Sequence, residues 1–383
     1  TSKNMGLQPS NNLPDKKMFL RSPFWVTKNR TNLDYIIVSM WIWTGDVITD
    51  EPTDPTLELR STAFEGTAAI DVAEFARDQV EILFDGNQES NVVWVKTQVY
   101  YVDTDGTTTG TDAAEYYAGL DGFSYFEEGK NYQYTGNILM GTDRVKSAEG
   151  ERYNVPVFTE KLVSWGLQNY QAPNWVQYHT VSGLTPTTDS ADYVEYIPNT
   201  AGNVYAQRLQ LNFDDGAGGT TNEYVYFDYE DCYQYGPVSL YFANRFGAIQ
   251  QLVCFGRIDV SMSTQDEKFK RSIVQYDGSY DEKRHQNKVL YKNGQIKIRL
   301  NTGFYEESYN DLFSELMLSE QIWIKVEGTD LGFGFSPEQR NSSIIFPCNL
   351  TSQEFQMKKL RADKLISYTF DFEAAADRIN SVR

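Results

Sequence analysis

The sequence is poor in the residues that do covalent chemistry. Its three cysteines, Cys232, Cys254 and Cys348, are spaced for neither a zinc site nor a disulfide framework. In strand-like or aromatic surroundings they read as buried free thiols. Of the two histidines, His179 continues an alternating strand pattern and His285 stands in a charged loop. Neither has the company a catalytic or metal-binding imidazole needs. No Gly-x-Ser-x-Gly elbow, phosphate loop or dinucleotide fingerprint occurs, which leaves nucleophilic hydrolysis and nucleotide chemistry unsupported. Carboxylate pairs such as Asp228 with Glu230 and Asp231 are so plentiful that a glycosidase reading is unspecific. Asp103-Thr104-Asp105-Gly106 has part of a calcium loop without its later ligands, and reads as a hairpin tip. The expectation is a non-enzyme with no cofactor and no metal.

Long apolar runs are also missing. No run of about 18 apolar residues occurs and no basic, then apolar segment opens the sequence, so the expectation is folding in a reducing cytoplasm with no membrane partner. What the sequence does have is aromatic residues, 14% of the chain, with many Thr, Asn, Val and Ile. That composition favours pleated, half-buried surface over helix. The fold class expected is mainly β, with two immunoglobulin- or fibronectin-like β-sandwich domains followed by a C-terminal α+β domain. The divisions read are an N-terminal arm at 1–20, sandwiches at 21–159 and 160–285, and an α+β assembly domain at 286–383.

The densest β signal runs from residue 224 to 262. Residues 224–229 and 238–242 read as strands and 248–261 as one longer strand, together the middle of a sheet. Asn244-Arg245-Phe246-Gly247 is a turn that places Gly247 where positive φ is needed. Leu252-Val253-Cys254-Phe255 is apolar without alternation, which calls for cover on both faces. Residues 35–43 read as a central strand and 91–102 as a long half-buried one. Val72, Phe75, Ala76 and Val80 lie at helical spacing, as do Tyr309, Leu312, Phe313, Leu316 and Met317 within 306–319. Residues 373–378 read as a short helical tail, and the polar run 277–284 as a crossing between domains.

Charge is uneven. The net charge is -19, and residues 46–128 hold nineteen acidic residues against Arg60, Arg77 and Lys96. Such a surface repels nucleic acid. Residues 265–300 reverse the sign, with nine Lys or Arg against five Asp or Glu. Lys268, Lys270 and Arg271 are therefore the interface candidates, expected to meet the acidic segment of a neighbouring copy in a head-to-tail ring. Exposed Tyr and Trp would also suit sugar stacking, so a carbohydrate-binding adhesin is the alternative.

Several short motifs spread over the chain carry a resemblance. They are Arg21-Ser22-Pro23-Phe24, Asp71 with Arg77-Asp78, Asp121-Gly122-Phe123-Ser124-Tyr125-Phe126-Glu127-Glu128-Gly129, Asn244 with Gly247 and Phe255-Gly256, and Leu365-Ile366-Ser367-Tyr368-Thr369-Phe370-Asp371-Phe372-Glu373. With them the chain resembles the large virion structural proteins of tailed bacteriophages, particularly those of Bacteroidetes-type hosts. The resemblance implies no catalytic residues. It implies assembly in the host cytoplasm into a virion, as a tail or neck ring or collar component whose partners are copies of itself and neighbouring virion proteins. A tail-fibre-type receptor-binding protein is the virion form of the adhesin alternative.

Overall fold

The structure, a computed structural model, describes residues 16–44, 50–80, 84, 92–106, 108–148, 153–158, 162–171, 173–181, 194–196, 206–214, 219–230, 234–280, 282–327, 343–354, 356–357 and 365–379. It is mainly β, in several sheets. The chain divides into two compact units, one of Thr1–Asp231 with Phe242–Leu252 and one of Cys232–Tyr241 with Val253–Arg383.

In chain order the first strands are β1 (Lys17–Phe19), β2 (Trp25–Asn29), β3 (Leu33–Trp43), β4 (Leu57–Thr62) and β5 (Thr67–Asp71), followed by helix α1 (Ala73–Arg77). Then come β6 (Val92–Asp103), β7 (Thr108–Thr111), β8 (Glu115–Leu120) and β9 (Gln133–Tyr134). Among the described residues these build a sheet in the order β4-β3-β6-β8-β1-β9, with β7 on β6 and the pair β2-β5 separate. The nearly continuous apolar run of β3 explains its place inside the sheet, with both faces covered. Ile36, Val38, Met40 and Ile42 join a core with Phe24 and, from α1, Ala73 and Ala76. Trp41 and Trp43 join another with Phe19, Trp94, Phe158 and Phe246. The segment expected as a free arm therefore ends as a strand: residues 17–19 are buried between β8 and β9. Residues 1–15 lie outside the described residues.

The chain continues through β10 (Arg144–Ala148), β11 (Tyr153–Val155), β12 (Leu162–Gln171), β13 (Asn174–Val181), β14 (Val194–Tyr196), β15 (Ala206–Asp214) and β16 (Thr220–Glu230). The second sheet runs β10-β16-β15-β12-β13, with β11-β14 as a separate pair. Its core takes Leu209, Leu211, Val225 and Phe227 from alternate positions of β15 and β16, with Tyr153 and Val155. The densest aromatic run is thus divided between sheets: residues 224–229 lie in this one, and the two strands after them in the next.

The remaining elements are β17 (Val238–Ala243), β18 (Ile249–Cys254), β19 (Ile258–Lys270), β20 (Asn287–Asn301), β21 (Tyr305–Glu306), α2 (Asn310–Leu318), β22 (Ile322–Glu327), β23 (Ser343–Leu350), β24 (Leu365–Ile366), β25 (Thr369–Ala374) and β26 (Arg378–Ile379). The third sheet runs β18-β17-β22-β23-β25-β20-β19, with β26 on β20 and β21-β24 apart. Every residue of β18 is buried, including Leu252, Val253 and Cys254 of the apolar run, which is covered on both faces. Residues 248–261, expected as one strand, are two. The chain breaks at Gly256, whose Cα faces Asn301 so closely that a Cβ would stand 2.6 Å from the Asn301 carbonyl oxygen. Helix α2 buries Leu312, Phe313 and Leu316 as its spacing predicts, and the Phe313 ring meets Tyr305 at 5.4 Å and Tyr368 at 5.0 Å. The helical tail expected at 373–378 is instead the end of β25, a bend and β26, which pairs with Asn293 and Gly294.

Candidate assembly ribbon

The interface candidates lie on a long two-stranded ribbon. β19 and β20 pair antiparallel from Ile258 opposite Leu300 to Lys270 opposite Asn287, with a bulge beside Glu267. Paired residues share a face. At the base one face is apolar, with Val260 opposite Ile298 and Met262 opposite Ile296. There β25 and β26 extend the sheet as far as Asn293. Beyond that point the ribbon has no third strand among the described residues, and residues 264–270 and 287–292 are all exposed. This free part is about 17 Å long at the rise of a β-strand.

Lys268 and Lys270 occupy alternate positions of β19, so they share the face that is apolar at the base. Lys268 pairs with Asp266 at 3.1 Å. Arg271 closes the ladder, donating from its backbone N–H to the Gln286 carbonyl at 2.9 Å and from Nε to the His285 carbonyl at 3.2 Å. Among these cations stand exposed apolar side chains: Phe269, Val289, Leu290 and Tyr291 on the strands, Val274, Tyr276 and Tyr280 at the tip. Of the polar run 277–284, expected as a crossing between domains, the described residues 277–280 and 282–284 are part of this tip, and the expected division at 285/286 falls in the loop between β19 and β20.

The tip is itself ordered. Val274 bridges Tyr280, and the Gln275 N–H donates to the Ser279 carbonyl at 2.8 Å. Gly278 turns the chain at φ +80°. The Asp277 carboxylate accepts from the Ser279 hydroxyl at 2.6 Å and its N–H at 3.0 Å. These bonds hold that carboxyl below the usual carboxylate range. The turn presents Tyr276, which is fully exposed.

The acidic segment carries less uncompensated charge than its sequence suggests. Arg21 forks onto Asp121 with two bonds of 2.8 Å, Lys28 reaches Asp112 at 2.6 Å and Arg30 reaches Asp103 at 3.1 Å. Lys16 pairs with Glu115 at 3.1 Å and Arg245 with Glu128 at 2.6 Å. All five cations come from outside residues 46–128, where a local count cannot see them. Several of the resemblance motifs meet here: Arg77 also approaches Asp121 at 3.8 Å, and a Cβ on Gly247 would stand 2.5 Å from the Asp121 backbone. Their residue types have a structural reason in that latch.

Cys254 and Cys348 are buried free thiols, and burial pushes Cys348 up to about 12. Cys232 lies outside the described residues. His179 sits in β13 opposite Leu167, and His285 is exposed beside the tip. Among the described residues no cluster of His, Cys, Asp and Glu has the geometry to hold a metal, and no helix is long and apolar enough to cross a membrane. A depression of about 230 Å³ beside Trp25 has its two carboxylates already paired. Asp112 is held by Lys28, Glu115 by Lys16 and Tyr117, and Asn131 bonds the Trp25 backbone in both directions.

No family model and no curated protein matches the chain. Among solved structures it is similar to a tandem pair of titin immunoglobulin domains, at 9% identity and a TM-score of 0.18, over 55% of this chain and 98% of that one.

Proposed function

We propose that the chain is a structural protein of a tailed-phage virion, a tail or neck ring or collar component that assembles as a symmetric oligomer and docks through the β19–β20 ribbon onto a neighbouring copy. The finer architecture proposed with it is two immunoglobulin- or fibronectin-like sandwiches followed by an α+β assembly domain. The ribbon carries the reading. A bare two-stranded ribbon is marginally stable in water, and its open edges and large apolar side chains are a liability on a monomer. On a neighbour the same features become an interface, with aromatic anchors in the middle and cations around them.

The contact is heterologous, ribbon to a different surface, because the ribbon is locally cationic on a chain of net charge -19. Such contacts close into rings when the rotation permits. The virion setting and its cytoplasmic assembly rest on the motif resemblance. The test is to replace residues 266–291 by a two-residue Asn-Gly turn and compare the two chains by light scattering and electron microscopy. A folded monomer in place of a ring is expected. A shortened chain that assembles like the full one overturns the role of the ribbon, and tight glycan binding by a monomeric full chain moves the assignment to the adhesin.

A further inference from the structure

Within the first unit a lysine is buried where a lysine is costly. Lys17, on β1, is 2% exposed. An ammonium has three protons to place, yet among the described residues Lys17 Nζ has one long hydrogen bond, 3.4 Å to Asn137 Oδ1. The Phe158 and Tyr134 rings lie 4.8 and 5.9 Å from it. On the far side of the same amide, Asn137 Nδ2 donates to Glu223 Oε1 at 3.0 Å. Glu223 also accepts from the Asn137 N–H at 3.1 Å and the Ile138 N–H at 3.2 Å. The orientation of the amide follows from its neighbours, since the lysine only donates and the carboxylate only accepts. Asn137 is itself buried, so an amine, a carboxamide and a carboxylate stand in line in a site closed by aromatic rings.

We propose that these three residues form an intramolecular amide bond between Lys17 and Asn137, with Glu223 as the acid–base group. The neutral amine attacks Cγ of Asn137 as the new N–C bond forms. Nζ gives up one proton, Glu223 carries a proton to Nδ2, and the Cγ–Nδ2 bond breaks to release ammonia. Atoms and charge balance: one amine and one primary amide give one secondary amide and NH3, with no oxidant or co-reactant. Burial does two things. It favours the neutral amine, which is the nucleophile, and the desolvation that outweighs the pull of Glu223 lowers Lys17 to about 8. It also holds the reacting groups together, which replaces a bimolecular encounter by a positioned one. Two backbone N–H groups, of Asn137 and Ile138, hold Glu223 against the leaving nitrogen, the position a proton donor must occupy.

The experiment is intact-mass measurement and tryptic mapping of the full chain after incubation at pH 9. The expected result is a mass lower than the sequence mass by one ammonia, with a joined peptide in which Lys17 is uncut and linked to the segment containing Asn137. Glu223→Gln should slow the loss by about 100-fold or more, the usual span of general acid–base catalysis. Lys17→Met, whose apolar side chain suits the ring-lined site, should abolish it while near-ultraviolet circular dichroism stays native. A cyclic imide at Asn137 would also release ammonia; it gives no joined peptide and persists in Lys17→Met, and that pattern overturns the proposal. So does a folded wild-type chain that keeps its full sequence mass.

Discussion

Gly247 and Gly106 have nearly the same φ, +74° and +77°, in different surroundings. A Cβ on Gly106 would meet nothing within 4 Å, whereas one on Gly247 would stand 2.5 Å from the Asp121 backbone. Gly106→Ala should therefore cost about 1 kcal/mol from backbone strain alone. Gly247→Val should cost about 3 kcal/mol or more, since the latch around Asp121 must open. Denaturant midpoints of the two variants check the difference. Lys17 gives a second residue-scale expectation, for a chain kept unlinked by Glu223→Gln. Its folded value lies at or below about 8 and its unfolded value near 10.5. Between those values the unfolded state binds more protons, so stability rises as pH rises through that window, by about 3 kcal/mol. A linked chain has no amine there and should lack this rise, which urea titrations at pH 7.5 and 10 would show. Gly247 was legible in the sequence because a turn is local chemistry, and Asn244 stands three residues before it. The Lys17 cluster was not, because 120 positions separate the lysine from Asn137 and no spacing rule joins them.

At the scale of elements, the apolar pattern carried the reading. α2 stands where helical spacing puts it and β6 where alternation does, and the nearly continuous apolar run of β3 is buried on both faces. It failed where a polar stretch had two uses. Residues 277–284 have the composition of a linker, yet Gly278 and Asp277 make them a hairpin tip. Residues 374–376 are three alanines, good helix formers, but the pairing of Arg378 with Gly294 draws the chain into a strand. The ribbon also sets the charge experiment. Changing Lys268, Lys270 and Arg271 together to Glu should slow assembly at low salt and let it approach the wild-type rate at high salt. Exposed charges steer encounter and set register more than they hold a finished contact, where each pair is worth about 0 to 1 kcal/mol. Light-scattering time courses at two salt concentrations decide it, and equal rates at both would remove the charges from the mechanism.

At the scale of the whole molecule, the sequence indicated a mainly β chain and the structure is one, in several sheets. Its compositional asymmetry was legible, but the field it produces was not, because Lys16, Arg21, Lys28, Arg30 and Arg245 reach the acidic segment only in the fold. β1 is the part of this arrangement with a mechanical meaning. It runs parallel to β8 and antiparallel to β9, so tension entering from the N-terminal side loads its hydrogen bonds along their rows, many at once. An amide bond from Lys17 to Asn137 would then take that tension past the sheet. The 119 residues between the two anchors, about 40 nm of extended chain, would be withheld from stretching when the chain is pulled.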